Sequence, residues 1–271
     1  MTSPPGTGPD LYGVGPAALA VQCDDPGLRA SIGSVLQDLR DVAPDADADQ
    51  ASVRRQGPAW AQSPWSVWRH DQPRIVGISG PDVVTVLVGE VAGLVVERSP
   101  ALVPLRAGAV ERDGRAVVLL GRSEIESSRL ALGLAERGWD LLGDALVLLD
   151  PTEAAVTPFW CPVEGAPGGV AAGDEAAEPG LVPASSVASL AGRCPLAALV
   201  VPTSIPGEPE RLAEAETLAE LAEHLAVVGP RAGAHVSALA DTVGSLTGFR
   251  VHVGDLEQAD ASLTRLLQAG S

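Results

Sequence analysis

The chain has 271 residues, of which 46% are apolar and 3% aromatic, and its formal charge at neutral pH is −17. This length and composition predict a globular protein with an aliphatic core, folded as one large domain or as two modest ones. The charge argues against nucleic acid and anionic membranes as partners, because both repel an acidic protein.

Cysteine usage and the absence of targeting patterns bear on where the protein works. Cys23, Cys161 and Cys194 are odd in number and widely spaced, which argues against a disulfide framework and against a zinc site. No N-terminal segment has the pattern of a signal peptide, and no apolar run approaches the ~20 residues of a membrane span. We therefore expect a cytoplasmic protein that does not enter a membrane.

Residues 1–100 are expected to form a small N-terminal α/β unit. Residues 1–16 are rich in proline and glycine, which predicts disorder. The apolar pattern that follows predicts a strand over 17–22, a capped amphipathic helix over 25–42 and a strand over 74–79. The valine-rich stretch 82–97 is compatible with a buried helix or with a pair of strands.

A tryptophan cluster lies inside this unit, formed by Trp60, Trp65 and Trp68. Apolar residues alternate around Trp65, which predicts a half-buried strand whose tryptophans fill a small core. Tryptophan also supplies a large contact area at small entropic cost, so the cluster is also compatible with an aromatic surface that binds a peptide. Both interpretations stay open for different members of the cluster.

The next stretch predicts a β-hairpin followed by a loop and a helix. Residues 101–111 and 115–120 have strand-like patterns and meet at Asp113-Gly114, a dipeptide typical of tight turns. Residues 129–137 are apolar at helical spacing and stop at Gly138, as a helix with a glycine C-cap does. Strand, loop and helix is the order that a phosphate-binding loop requires.

The loop itself, residues 121–128, has the spacing of a phosphate-binding P-loop and lacks its chemistry. The motif G-x-x-x-x-G-K-[ST] binds phosphate through backbone N–H groups and a lysine. Gly121 and Ser128 match it, whereas Glu126 replaces the second glycine and Ser127 replaces the lysine. Glu124 and Glu126 would repel an anion by several kcal/mol at short range. The sequence therefore predicts a nucleotide site that no longer functions.

The remaining pattern predicts further strands and helices around this loop. Strands are expected over 141–149, with Asp144 in the middle, and a proline- and glycine-rich loop over 159–180 carries Trp160 at the rim of the site. After it, the sequence predicts a strand from 196, helices over 210–227 and 236–246, a strand over 249–253 and a terminal helix over 255–268.

The segment LRAGAVERDGRAVVLLGRSEIESSRLALGLAERGWDLLGDALVLLD, residues 105–150, resembles the core of the HPr kinase/phosphorylase-like P-loop proteins. The likeness extends over residues 75–270. It implies an α/β fold in which a P-loop core with a mixed sheet and flanking helices, residues 101–271, follows the smaller N-terminal α/β unit. It also favours a helix over 82–97.

Three positions depart from the family pattern. Arg106 stands where the family has a catalytic histidine, Ser127 where it has the phosphate-binding lysine, and Asp144 is followed by Ala145 where it has an acidic pair. Because all three catalytic elements of the family pattern are replaced, the chain resembles a pseudokinase. We expect it to use no nucleotide cofactor and to bind no metal.

Three functions are compatible with these patterns. The first is a non-catalytic protein that binds the precursor of a ribosomally made, post-translationally modified peptide and presents or holds it for tailoring enzymes, as the resemblance implies. The second is an ATP-dependent peptide or protein kinase in which Arg106 or Arg122 replaces the lysine, since arginine pairs bidentately with phosphate. The third is an unconventional enzyme that promotes cyclisation or another modification of a bound peptide.

The first function assigns a set of candidate peptide-binding residues and no catalytic ones. The candidates are polar side chains of the former nucleotide site and one aromatic residue: Arg106, Arg122, Ser123, Ser127, Ser128, Asp144 and Trp160. The expected partners are the precursor peptide and its tailoring enzymes, with the acidic surface attracting a basic leader segment. The high apolar content also favours a homodimer.

Overall fold

The computed structural model describes residues 8–42, 47–57, 63–165, 180–227 and 230–269. Within these ranges the chain is a mixed α/β protein with two compact units. The first unit contains Met1–Pro100 and Cys161–Ser186, and the second contains Ala101–Trp160 and Val187–Ser271. Trp60, for which the sequence predicted a core or binding role, lies outside the described residues. The first seven residues, for which it predicted disorder, also lie outside them.

The first hundred residues contain β1 (Asp10–Gly15), β2 (Ala17–Cys23), α1 (Pro26–Val35), β3 (Arg40–Val42), β4 (Asp49–Arg55), β5 (Trp65–Arg69), β6 (Gln72–Ile78) and α2 (Gly80–Arg98). The remainder contains β7 (Val103–Leu105), β8 (Gly108–Arg112), β9 (Arg115–Leu119), α3 (Glu124–Ala135), β10 (Asp140–Gly143), β11 (Val147–Asp150), β12 (Ala155–Thr157), β13 (Val163–Gly165), β14 (Gly180–Val182), β15 (Cys194–Thr203), β16 (Glu210–Arg211), α4 (Glu214–Glu223), α5 (Pro230–Thr242), β17 (Gly248–His252) and α6 (Leu256–Ala269).

The first unit is built on a six-stranded sheet in the order β3-β1-β2-β4-β5-β6. Helix α2 begins after Ser79, whose hydroxyl and backbone N–H form a capping box with Asp82. Its buried residues are mostly valine and leucine, and it contacts β1, β2 and β5. The stretch for which the sequence left helix and strand open is therefore a helix.

Strand β1 differs from the sequence prediction, which extended N-terminal disorder to residue 16. Residues 10–14 pair antiparallel with β2, and Gly15 adopts a positive φ in the turn between them. Tyr12 is fully buried by this pairing. The glycines that indicated disorder by composition are the residues that allow the tight hairpin.

The second unit is built on a nine-stranded mixed sheet, whose main path runs β10-β8-β9-β15-β12-β11-β7 and which continues from β15 to β17 and β16. Strands β9, β15 and β17 are parallel neighbours, whereas β8 and β9 form the antiparallel hairpin that Asp113-Gly114 predicted. Its core is aliphatic, with Leu105, Val118, Leu149 and Leu199 among the buried side chains. The predicted mixed sheet is confirmed.

Two helices are shorter than the sequence predicted. Helix α1 ends at Val35, and the chain then turns into β3, which pairs parallel to β1. Helix α4 covers Glu214–Glu223 instead of residues 210–227, because Glu210 and Arg211 pair with β17. In both cases, pairing with a strand distant in sequence shortens a helix that the local apolar spacing predicts to be longer.

The segment Cys161–Ser186 groups with the first unit, although the sequence placed it in the second domain. Strands β13 and β14 pair with each other, and α1 contacts β14. The backbone N–H and hydroxyl of Ser185 donate to Asp38 at 2.9 and 2.6 Å. These long-range contacts carry no local sequence signal. Residues 166–179 of the predicted loop lie outside the described part of the chain.

In the ranges that the structure describes, no helix combines the length and the apolar character needed to cross a lipid bilayer.

Candidate functional site

The loop at residues 120–123 joins the end of β9 to the start of α3, in the strand, loop and helix order that the sequence predicted. Helix α3 begins at Glu124, five residues earlier than predicted, because Ser123 caps it. The Ser123 side chain accepts a hydrogen bond from the Glu126 N–H at 3.2 Å. Serine at this position satisfies a backbone donor that the helix itself leaves unpaired.

Glu126 also closes the loop from the other side. Its Oε2 accepts a hydrogen bond from the backbone N–H of Arg122 at 2.9 Å. In a phosphate-binding loop such N–H groups face the phosphate oxygens. Here one of these N–H groups already donates to a carboxylate from the first turn of the helix. The side chain of Glu124, the other acid of the predicted repulsion, is not among those described.

Close packing holds the start of α3 against the sheet. A Cβ atom on Gly121 would lie 2.8 Å from the Ser127 N, and one on Gly108 would lie 2.7 Å from the Ser127 carbonyl oxygen. Ser127 is therefore only 1% exposed, and its hydroxyl donates to the Ser123 carbonyl at 3.3 Å. The side chain that stands where the lysine would be is buried between the loop and the helix.

Ser128 and Asp144 form a second polar pair, between α3 and the turn that follows β10. The Ser128 hydroxyl donates to Asp144 Oδ2 at 3.0 Å. Asp144 is 7% exposed, and among the described residues its Oδ1 has no hydrogen-bond partner. Burial raises the pKa of this carboxyl, and the hydrogen bond from Ser128 only partly opposes the rise.

His224, at the C-terminal end of α4, connects three segments. Its Nδ1 lies 2.7 Å from the Glu220 carbonyl oxygen, and its Nε2 lies 2.8 Å from the Gly121 carbonyl oxygen. Its own carbonyl accepts from the Arg106 N–H at 2.7 Å.

These segments surround a cavity of about 530 Å³, which we call the arginine cavity. Its walls include the loop at 120–123, the end of β15 and the C-terminal half of α4. Its ionisable lining residues are Arg106, Arg122, Arg250, Glu220, Glu223 and His224. Three arginines and two glutamates give a formal lining charge of +1 with a neutral histidine, on a chain whose total is −17.

The structure distributes the predicted site residues over different places. Arg106, Arg122 and Ser123 line the arginine cavity. Ser127 is buried, and Ser128 and Asp144 pair with each other between the helix and the turn. These last three are not part of the cavity wall: Ser127 and Ser128 lie on α3, and Asp144 lies in the turn after β10.

Trp160, predicted at the rim of the site, also lies away from the cavity wall. It is half-buried, and its indole N–H donates to the Leu141 carbonyl at 3.3 Å. Trp65 and Trp68 belong to the first unit, where Trp65 is buried and the Trp68 indole donates to the Ser66 hydroxyl at 2.8 Å. Trp65 fits the interpretation of a tryptophan-filled small core, whereas Trp68 is half-buried, with the Arg54 guanidinium 4.9 Å from its ring centroid.

Four ionisable lining residues were missed by the sequence analysis: Arg250, Glu220, Glu223 and His224. Arg250 reaches the cavity because β17 pairs in parallel with β15, far from the loop in sequence. Glu220, Glu223 and His224 are spaced three and four residues apart, so they share a face of α4. That spacing was a usable signal, although an acidic helix face is usually only solvated.

Within the described ranges, no group of three or more His, Cys, Asp or Glu side chains is arranged to hold a metal ion.

No protein-family model matches the chain, and no curated protein matches it. Among solved structures, it is similar to the Hpr(Ser) kinase/phosphatase from Coxiella burnetii, with 13% identity and a TM-score of 0.35. The matched region covers 61% of this chain and 98% of that one. A TM-score of this size describes a partial likeness, and the family membership expected from the sequence stays a prediction.

Proposed function

We propose that the chain is a non-kinase, peptide-binding accessory protein and that it binds its ligand in the arginine cavity. In this proposal the ligand is the precursor of a ribosomally made, post-translationally modified peptide, which the protein presents to or holds for tailoring enzymes. The pathway rests on the sequence resemblance. The binding chemistry rests on the contacts around Gly121.

The observation that carries the proposal is the hydrogen bond from the Arg122 N–H to Glu126 Oε2, at 2.9 Å. A phosphate group approaching this loop would meet a carboxylate instead of a free amide. With Ser127 buried, no ammonium group takes the place of the P-loop lysine at that position. Both features oppose nucleotide binding.

The net charge of the cavity lining points in the same direction. A lining charge of +1 is small beside the several negative charges of a nucleoside triphosphate. This lining charge also matches a ligand with a single negative charge better than one with many. Each further negative charge would lose its hydration in the cavity without gaining a positively charged partner. A single carboxylate of a peptide is such a singly charged group.

The polar groups of the cavity also suit a polypeptide. Guanidinium groups and the Ser123 hydroxyl donate hydrogen bonds, while the carboxylates of Glu220 and Glu223 accept them. A peptide backbone presents both N–H donors and carbonyl acceptors, so it can use both sets. The volume of about 530 Å³ is in the range of small-ligand sites and accommodates a few residues of a peptide.

Calorimetry with two ligand classes tests the proposal. We expect no heat of binding with ATP and magnesium at millimolar concentration, and saturable binding with a short peptide encoded beside the gene. Arg122→Ala should weaken peptide binding, whereas Trp160→Ala should leave it unchanged, because Trp160 lies off the cavity wall. Micromolar affinity for ATP, or failure of every neighbouring peptide to bind, would contradict the proposal.

A further inference from the structure

The arginine cavity adjoins a second cavity of different character, because Ser123 and Pro202 line both. The second cavity has a volume of about 550 Å³ and is lined by four aliphatic side chains, Ile125, Leu130, Val253 and Leu256, and by the charged residues Glu126, Arg129 and Asp255. We call it the aliphatic groove. Ile125 is 65% exposed in the first turn of α3, which is unusual for a side chain of this size.

The arginines come from three separate parts of the second unit. Arg106 follows β7, Arg122 lies in the loop before α3, and Arg250 lies in β17. Arg250 pairs with the exposed carboxylate of Glu210 at 3.2 Å, and Arg106 donates to the Glu223 carbonyl at 3.5 Å. An exposed ion pair such as Arg250–Glu210 contributes little to stability, so a ligand carboxylate can compete for the Arg250 guanidinium group.

The acids in the cavity wall restrict what kind of anion fits. Glu220 and Glu223 reduce the lining charge to +1, which balances one carboxylate and opposes a second negative charge. The Glu126 carboxylate already holds a backbone N–H of the loop, which disfavours phosphate there. The chemistry that remains is a single carboxylate bound by guanidinium side chains, a geometry in which arginine forms two parallel hydrogen bonds.

We propose that the two cavities together bind the carboxyl-terminal end of a peptide. The terminal carboxylate lies among Arg106, Arg122 and Arg250, and an apolar side chain of the last residues lies in the aliphatic groove against Ile125. This rests on the proposed peptide-binding function and adds which end of the peptide is recognised and by what chemistry.

The test compares peptides that differ only at the carboxyl end. The full-length chain is immobilised and exposed to hexapeptides of randomised sequence, prepared once as free acids and once as C-terminal amides. Retained peptides are quantified and sequenced by mass spectrometry. We expect at least tenfold greater retention of the acids, with aliphatic residues enriched at the last two positions.

Variants locate the effect. Arg122→Ala should remove the preference for acids over amides, and Ile125→Ser should remove the aliphatic enrichment while leaving the acid preference. Arg265→Ala, an equal charge change at an exposed residue that lines a different cavity, should change neither. Both variants of the site replace exposed side chains, so they are expected to fold.

The outcomes separate this inference from the proposed function. Equal retention of acids and amides would overturn the carboxyl-end inference and leave peptide binding standing. An acid preference that survives Arg122→Ala would place recognition elsewhere and also overturn it. Retention of neither pool would contradict the peptide-binding function itself.

Discussion

At the scale of single residues, Glu126 takes the position on the loop that a bound anion would occupy. It lies in the first turn of α3, where negative charge interacts favourably with the helix dipole. The Glu126 carboxylate accepts a hydrogen bond from the Arg122 N–H, and the Ser123 hydroxyl accepts one from the Glu126 N–H. One glutamate thus stabilises the helix start and, in the proposed function, also opposes phosphate binding at the loop.

Glu126→Ala should therefore have two separable effects. Loss of the carboxylate leaves the Arg122 N–H without its partner, which should lower the free energy of unfolding by about 1 kcal/mol, as loss of a helix cap does. It should also let inorganic phosphate stabilise the variant at millimolar concentration. Urea denaturation with and without phosphate measures both.

Glu257→Ala is the matched control, since Glu257 is an exposed glutamate in the first turn of α6. It should show a smaller loss and no response to phosphate. If phosphate stabilises wild type as strongly as Glu126→Ala, the carboxylate does not block the loop.

Asp144 is the second residue whose environment makes a prediction. Burial raises the pKa of its carboxyl above the ordinary value of 3.8, and the Ser128 hydrogen bond does not cancel the rise. The folded chain then holds this proton more tightly than the unfolded chain does. Its contribution to stability is therefore present at low pH and is lost as the pH rises through 3.8 towards the raised value.

Asp144→Asn should remove this loss, because asparagine keeps an oxygen that can accept from Ser128 and carries no charge. We expect the free energy of unfolding of the variant, relative to wild type, to increase from about pH 4 to about pH 7. Urea denaturation across that range is the measurement, with Asp241→Asn at an exposed position of α5 as the control for charge. A relative stability that falls with rising pH would contradict the assigned direction.

At the scale of elements, the position of α3 depends on its close approach to the hairpin. Gly108, the first residue of β8, leaves room for the Ser127 carbonyl and the Ala131 side chain, which would lie 2.7 and 2.9 Å from an added Cβ. Both neighbours belong to α3, which carries Ile125 and directly follows the loop that carries Arg122. The glycine is needed for space and not for an unusual backbone angle.

Gly108→Ala should consequently displace α3 and destabilise the fold by about 1–3 kcal/mol, the usual effect of overpacking. It should also weaken peptide binding, because the loop before α3 moves with the helix. Gly192→Ala, at a glycine with no atom within 4 Å of the added Cβ, is the control and should change stability little. Thermal denaturation of both variants shows whether position 108 is too closely packed for a side chain or accepts one as readily as position 192.

Local pattern predicted much of this element structure and little of the site. The hairpin at Asp113-Gly114, the strand before Gly121 and the terminal helix have strong local signals, and the structure contains all three. The early start of α3 was missed because the capping role of Ser123 was not weighed against the apolar spacing. Arg250 entered the cavity through parallel pairing of β17 with β15, which no short-range pattern encodes.

At the scale of the whole molecule, charge is distributed unevenly. The chain carries a formal charge of −17, yet the arginine cavity has a lining charge of +1. A peptide with a free carboxyl end must therefore approach an acidic protein before its carboxylate meets the arginines. Basic residues upstream of the carboxyl end would be attracted to the rest of the surface during that approach.

This uneven charge predicts how ionic strength affects binding of two peptides that share their last three residues. One carries basic residues upstream and the other acidic residues. The basic peptide should associate faster at low salt, because long-range attraction raises the association rate more than it slows dissociation. The advantage should shrink as the screening length falls from about 10 Å at 0.1 M salt to about 3 Å at 1 M.

Stopped-flow association rates at several salt concentrations measure this effect. Arg122→Ala is the control, since it should raise the dissociation rates of both peptides and leave the salt dependence of the association rates nearly unchanged. Equal slopes for the two peptides in wild type would show that the acidic surface does not act on the approaching ligand.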